Sequence, residues 1–204
     1  MKLKIDFMEK RLMHYGQFRG CTVMYIKLAG CNLQCRKCEG YKTNITGIKE
    51  LMKATLQSKV NKVVFSGGEP MVQDSLFEVV YEFVSRGLNV LIETNGTLPI
   101  DDTLYKRSFK FRLNLRVPSN GTEKRNKLTN LSKLHSVDEV NFSIKDILDY
   151  NYAKSIMKSN FTKAQYVMTI EDDNPLADLI EKWILEDGLV NLKLDYKYKV
   201  KEGE

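Results

Sequence analysis

Hydrophobic and polar positions along this chain fall into two alternating periods. Residues 22–28 (Thr-Val-Met-Tyr-Ile-Lys-Leu) are dense in β-branched and aromatic side chains and predict a strand. Residues 47–57 follow helical spacing through Ile48, Leu51, Met52 and Leu56, with Thr46 as the N-cap. A short apolar strand at 62–66 ends in Gly67-Gly68. Ser75 and Glu78 fit a capping box for a helix whose one apolar face is Leu76, Val79, Val80, Phe83 and Val84, and Gly87 stands where a left-handed residue ends it. Strands follow at 89–94, 109–117, 140–144 and 164–170, the first of them turned by Asn95-Gly96. Asn174-Pro175 opens a last helix with Leu176, Leu179, Ile180, Trp183 and Ile184 inward and Gly188 at its end, before a final strand at 189–196.

Strands that alternate with helices predict parallel βα units of the α/β class. With 204 residues the expectation is one domain over 1–204, an incomplete TIM-type barrel. Sites in such folds gather where strands end. The cysteines, Gly67-Gly68-Glu69-Pro70, Glu93-Thr94-Asn95-Gly96 and Pro118-Ser119-Asn120-Gly121 each follow a predicted strand directly, so these loops share one rim.

Composition narrows the setting. No apolar run approaches the ~18–20 residues of a membrane helix. Residues 1–6 lack the apolar core of a signal peptide, so the expected location is the cytoplasm. Thiols stay reduced there, and clustered cysteines point to metal or catalysis. Net charge is +6, and residues 104–137 hold nine basic side chains (Lys106, Arg107, Lys110, Arg112, Arg116, Lys124, Arg125, Lys127, Lys133) against Glu123 alone. A solvated face is the plain reading of this stretch, and a docking surface for an acidic partner the sharper one. No nucleic-acid-binding motif accompanies the charge, so no nucleic acid partner is expected.

Cys31-Asn32-Leu33-Gln34-Cys35-Arg36-Lys37-Cys38 is C-x3-C-x2-C. Thiolates are soft ligands that suit iron–sulfur clusters and zinc alike. A 4Fe–4S cluster on three cysteines keeps one iron open for another ligand. Zinc wants a fourth ligand or a water, and Cys21 or His14 is available for it, although Cys21 by itself reads as a buried thiol. Arg36 and Lys37 lie between the ligands and would offset an anionic cluster. His14 and His135 read as surface or packing residues.

This loop, together with Phe65-Ser66-Gly67-Gly68-Glu69-Pro70, resembles the radical S-adenosylmethionine (SAM) superfamily, with its three-cysteine loop and Gly-Gly-Glu-Pro motif. The resemblance implies a 4Fe–4S cluster on Cys31, Cys35 and Cys38. It implies reductive cleavage of SAM to a 5′-deoxyadenosyl radical that abstracts hydrogen from substrate. SAM contacts are implied for Lys37, Glu39, Gly67, Gly68, Glu69, Glu93, Asn114 and Arg116. The glycines are expected to let backbone approach the ligand.

Within that superfamily the chain is most similar to the 7-carboxy-7-deazaguanine synthases of queuosine and archaeosine biosynthesis. Tyr25-Ile26-Lys27-Leu28-Ala29-Gly30-Cys31-Asn32-Leu33, Glu93-Thr94-Asn95-Gly96-Thr97 and Pro118-Ser119-Asn120-Gly121 carry the likeness. The departures fall on substrate motifs. Met13-His14-Tyr15-Gly16 stands for the pterin-holding Gln-Gly-Glu-Gly, and Lys27 for an Arg whose bidentate fork it cannot reproduce. Gly40 takes the place of a magnesium-binding Thr, with Thr43 as a stand-in, so magnesium is an open third cofactor. Residues 195–198 (Asp-Tyr-Lys-Tyr) replace Gln-Leu-His-Lys. Tyr15, Lys27, Ser66 and Lys197 are the implied substrate residues.

The function implied is a lyase-type ring contraction of 6-carboxy-5,6,7,8-tetrahydropterin to 7-carboxy-7-deazaguanine. The alternatives are a glycyl-radical-enzyme activase, a radical reaction on another substrate, or a zinc-stabilised binding module. A small pterin-like substrate, a flavodoxin or ferredoxin as electron donor, and a homodimer are the partners this reading allows.

Overall fold

The computed structural model describes residues 1–36, 38, 40–101, 103–104 and 108–197. Along the chain run β1 (Lys2–Leu12), β2 (Thr22–Leu28), β3 (Asn44–Gly47), α1 (Ile48–Gln57), β4 (Lys62–Gly67), α2 (Leu76–Ser85) and β5 (Asn89–Thr94). β6 (Lys110–Leu115), β7 (Glu139–Ser143), α3 (Ile147–Ser159), β8 (Gln165–Glu171), α4 (Ala177–Glu186) and β9 (Leu192–Lys197) follow. One nine-stranded sheet has the order β3-β1-β2-β4-β5-β6-β7-β8-β9. From β2 through β9 every neighbouring pair is parallel, whereas β1 is antiparallel to both β2 and β3. The sheet ends at β3 and β9 without closing, so the α/β partial barrel expected from the sequence is the fold observed.

Central strands are buried on both faces. Val63, Val64 and Phe65 of β4, and Val90, Leu91 and Ile92 of β5, are at most 1% exposed. Continuous apolar runs of this kind belong to parallel strands covered on both sides. One face carries Val63, Phe65, Val90, Ile92, Phe111, Val140, Phe142 and Met168 into the main core, which also takes Val79, Val80 and Phe83 of α2, Ala153 of α3 and Ile180 of α4. The opposite, concave face is filled differently. Val23, Tyr25, Val64 and Leu91 pack there against Met13 and Phe18 of the β1–β2 loop. Farther along the sheet the same face turns polar, with Arg112, Glu139, Asn141, Thr169 and Asp195 all buried.

Several expected details change. β1 and β3 were not anticipated: only Leu3 and Ile5 of β1 are buried, so charged positions dilute its alternation. Pairing with β1 also places Thr46 inside β3, so the cap of α1 is Gly47, without a side-chain bond. Ser75 precedes α2 with φ −81 and ψ 3 and caps no N–H, so the capping box with Glu78 does not form. α3 was missed; Asp146 caps it by accepting from Leu148 N and Asp149 N, both at 2.9 Å. Leu179 of α4 is 41% exposed and not on the inner face, which Ile180 holds. Gly87 and Gly188 end their helices with φ of +78 and +58, as expected. Three 3-10 turns, Pro118–Asn120, Glu123–Arg125 and Leu128–Lys133, span the connection from β6 to β7. No helix among the described residues is long and apolar enough to cross a membrane.

Candidate functional site

The rim is assembled where β2, β4, β5 and β6 end. Gly68 N donates to Leu28 O at 2.9 Å and Glu69 N to Gly30 O at 2.8 Å, which extends the β2–β4 ladder past both strands. A Cβ on Gly67 would lie 2.4 Å from Leu28 O, and one on Gly68 would lie 2.0 Å from Gly30 O. At both positions the missing side chain lets two protein backbones meet.

Glu69 follows and is fully buried. Its Oε1 accepts from Met71 N (3.0 Å) and Thr94 Oγ1 (2.7 Å), and its Oε2 from Asn95 N (2.6 Å). Burial pushes this carboxyl above its ordinary value, against those donors and the Arg116 guanidinium, which favour its charged form. With both oxygens engaged, Glu69 ties the end of β4 to the end of β5. Asn95, held by that tie, reaches the cysteine loop. Its Nδ2 donates to Asn32 Oδ1 at 3.0 Å and lies 3.8 Å from Cys31 Sγ. Asn32 Nδ2 donates to Thr97 Oγ1 at 2.7 Å.

Cys31 Sγ also accepts from Leu33 N at 3.4 Å. Burial raises the pKa of this thiol, Leu33 N–H and Arg116 lower it, and Glu69 raises it. Cys35 Sγ lies 3.6 Å from Thr122 Oγ1, and Cys38 is exposed. An open cavity of about 700 Å³ runs past Cys31, Arg36, Pro118, Thr122, Lys124 and Arg125. Among the described residues no three His, Cys, Asp or Glu side chains converge closely enough to hold a metal ion. Cys21 lies at the start of β2, the other end of a seven-residue strand from the cysteine loop, and packs with Met13, Phe18, Val23 and Tyr25. Neither it nor His14 joins the loop thiols as a fourth metal ligand. The donor set therefore remains three soft thiols on one loop, with the Asn95 amide and the Arg116 cation beside Cys31. That chemistry fits an anionic cluster with one iron open.

Below the rim, the concave face holds Lys27, Ser66, Glu93 and Asn114. Register pairs Lys27 with Ser66 and Glu93 with Arg112, so they share this face. Glu93 Oε2 accepts from Ser66 Oγ (2.6 Å) and Tyr15 OH (3.3 Å), while its buried Oε1 has no partner among the described residues. Burial and the Glu93 charge push the Tyr15 phenol well above its ordinary pKa. Lys197 Nζ lies 5.7 Å from the Tyr15 ring centre and Arg112 Cζ 5.4 Å from it. Lys27 Nζ bonds Asp6 Oδ2 at 3.2 Å. Asn114 Oδ1 accepts from Asn141 Nδ2 at 3.0 Å. Arg116 is fixed through its backbone N–H to Asn126 Oδ1 at 2.9 Å, and its buried Nε has no partner among the described residues. Gly40 has φ +72 and open space around it, and Thr43 is exposed. Lys37 and Glu39 lie outside the described residues.

The basic stretch does not form one surface. Lys106 and Arg107 lie outside the described residues, and Arg112 is 1% exposed, ion-paired with Glu139 and donating to Thr169 Oγ1 at 3.1 Å. Lys124, Arg125 and Lys127 are exposed, and the first two line the cavity with Arg36. Tyr196 turns away from the concave face to bond Glu181 of α4, and Tyr198 lies outside the described residues. Sequence reasoning missed Thr122, Asp195 and the structural part of Asn95. The sequence marks Asn95 as a turn residue within a family-like segment and Asp195 as a departure from a family motif, and in neither case shows the partner.

No protein-family model matches the chain. It is 33% identical over 168 residues to the 7-carboxy-7-deazaguanine synthase of Methanospirillum hungatei, which covers 80% of this chain and 70% of that protein. It is 30% identical over 142 residues to the 7-carboxy-7-deazaguanine synthase of Thermoplasma acidophilum, covering 68% of each. The protein of that name from Chlorobaculum tepidum is 28% identical over 194 residues, 90% of this chain and 87% of its own. In fold, QueE from Escherichia coli superposes with a TM-score of 0.76 over 96% of this chain and 94% of that one, at 16% identity. Streptococcus suis SuiB bound to S-adenosylmethionine has a TM-score of 0.57 over 86% of this chain and 46% of that one, at 15% identity.

Proposed function

This chain belongs to the 7-carboxy-7-deazaguanine synthase family of radical SAM enzymes, and we propose that it converts 6-carboxy-5,6,7,8-tetrahydropterin to 7-carboxy-7-deazaguanine. The observation that carries the reading is the Cys31–Cys38 loop docked on the β4–β5 rim by Asn95, at the mouth of a barrel whose concave face turns polar from β6 onward. When bound, a 4Fe–4S cluster and SAM supply a radical that abstracts hydrogen from substrate.

In this reading Cys31, Cys35 and Cys38 hold the cluster. Asn95 orients Cys31, and the Arg116 cation offsets the negative charge. Gly67 and Gly68 present backbone to SAM, and Glu69 keeps that backbone in place. Asn114, Arg116, Lys37 and Glu39 are the remaining cofactor contacts. Glu93 stands at a boundary: its unpartnered Oε1 accepts from a cofactor hydroxyl, while Oε2 is held by Ser66 and Tyr15. Tyr15, Lys27, Ser66 and Lys197 line the substrate side, with Lys27 and Lys197 as the cations for a carboxylate. Gly40 offers no side chain to magnesium.

One domain carries this activity, supported by the single sheet that joins β1 to β9. The enzyme works in the cytoplasm, where an acidic flavodoxin or ferredoxin docks on Arg36, Lys124, Arg125 and Lys127 and delivers the electron. The synthase name of the relatives gives the glycyl-radical activase reading no support.

The test is an anaerobic assay of the reconstituted protein. The carboxypterin should accelerate deoxyadenosine release, and carboxydeazaguanine should appear by mass spectrometry. Deoxyadenosine release that ignores the pterin, with no deazaguanine formed, removes the proposal and leaves another substrate.

A further inference from the structure

Residues 13–20 join β1 to β2 and fold back onto the concave face. The loop closes on itself through Met13 N to Cys21 O (2.9 Å) and Gly20 N to Met13 O (2.8 Å), and Met13 and Phe18 are buried. Its tip is seated by a residue far away in sequence. Gly16 N donates to Asp195 Oδ2 at 2.9 Å, and Arg19 Nη1 lies 3.3 Å from Oδ1. Lys193 Nζ is 3.3 Å from the same Oδ1. The Asp195 side chain has no exposure, and its carboxylate is held jointly by the Gly16 N–H, Arg19 and Lys193.

Arg112 closes the seat from below. A Cβ on Gly16, whose φ is +70, would lie 2.8 Å from Arg112 Nη1. Next to the seated Gly16, Tyr15 has its ring near Arg112 and Lys197 and its hydroxyl on Glu93. We propose that Asp195 is a positioning residue that seats the 13–20 loop, and through it Tyr15, as the substrate-side wall of the barrel. Substrate meets Tyr15, and Asp195 acts only through it. The inference rests on the function proposed above, because it takes a pterin-sized heterocycle as the ligand of this wall.

The test is a double-mutant cycle on anaerobically reconstituted protein, read by calorimetric Kd for the carboxypterin and for SAM, with KM and kcat alongside. Asp195→Ala should raise pterin Kd and KM about tenfold, with SAM Kd and kcat within about twofold. Asp195→Asn keeps an acceptor for Gly16 N–H but loses the charge, and should raise pterin Kd about threefold. In a Tyr15→Ala background neither change should add to the rise, because the two residues act as one unit. Should Asp195→Ala not fold, the Asn variant carries the same cycle. Full additivity with Tyr15→Ala, an unchanged pterin Kd, or SAM Kd rising in parallel overturns the inference. If the wild-type protein binds no carboxypterin, the proposed function fails instead.

Discussion

Cys31, Cys35 and Cys38 lie within eight consecutive residues, whereas Gly16 and Asp195, which meet on the concave face, are 179 positions apart. The rim is a short loop laid across strand ends and fixed by side-chain amides such as Asn95. The polar part of the concave face is a set of buried charges from three strands: Arg112 pairs with Glu139, and Lys193 links Glu139 to Asp195. The contrast teaches that the two halves fail differently. Damage to the rim should remove chemistry and spare the fold, while damage to the floor should cost stability first.

The sharpest separation comes from Cys35→Ser. Cys35 is partly exposed and its thiol lies 3.6 Å from Thr122 Oγ1, so the apo protein should melt as wild type does. Iron content and deoxyadenosine formation should fall by more than ~100-fold, by iron assay and chromatography. Retained iron would break both the comparison and the cluster assignment.

Next in size is Arg112→Ala. It takes from Glu139, which is 5% exposed, its close partner and leaves it the Lys193 ammonium at 3.9 Å, so it should destabilise the protein by about 3 kcal/mol in chemical denaturation. Joint replacement, Arg112→Met with Glu139→Leu, should recover most of that loss, because no unpaired charge remains.

Glu69→Gln bridges the two cases, since this residue belongs to the rim but is as buried as the floor. The amide keeps one acceptor and turns a donor toward a backbone N–H or the Thr94 hydroxyl. A loss of about 1–3 kcal/mol is expected, together with weaker cluster loading.

A smaller effect tests the rim's outer edge. Lys124→Glu with Arg125→Glu should slow reduction by an acidic flavodoxin about tenfold at low salt and less at high salt, with the dithionite-driven rate unchanged.

The smallest effect is one of pH. The backbone N–H of Lys42 holds the Asp6 carboxyl below its ordinary value of 3.8, with help from the Lys27 ammonium. A lowered folded-state pKa means the contribution is complete above 3.8 and disappears as pH falls through the folded value. The melting difference between wild type and Asp6→Asn should therefore be present at neutral pH and vanish in strong acid.

Much of the fold was legible because its signals are local. The seven parallel strands were all anticipated, since continuous Val, Ile, Leu and Phe runs such as Val63–Phe65 have few other uses. β1 escaped because Lys2, Lys4 and Lys10 mask its pairing with β2 and β3. The Ser75 cap failed because the chain enters α2 with ψ near zero, where the hydroxyl does not reach its N–H groups. At the site, the cysteines and the Gly67-Gly68-Glu69-Pro70 loop were legible, but the close backbone approach that requires glycine at 67 and 68 was not. That requirement comes from Leu28 and Gly30 across the sheet, which sequence spacing does not reveal.

Periodicity and short-range motifs alone determined an α/β chain with parallel strands and three cysteines on one loop, because those properties depend on residues within one turn or one loop. Only the tertiary structure decided that Arg112 is a buried ion-pair partner and not a surface cation. It alone placed Asp195 on Gly16 and turned Tyr15 toward Glu93. A buried charge is defined by what surrounds it once water is gone, and its partners arrive from strands that meet only after the sheet has formed.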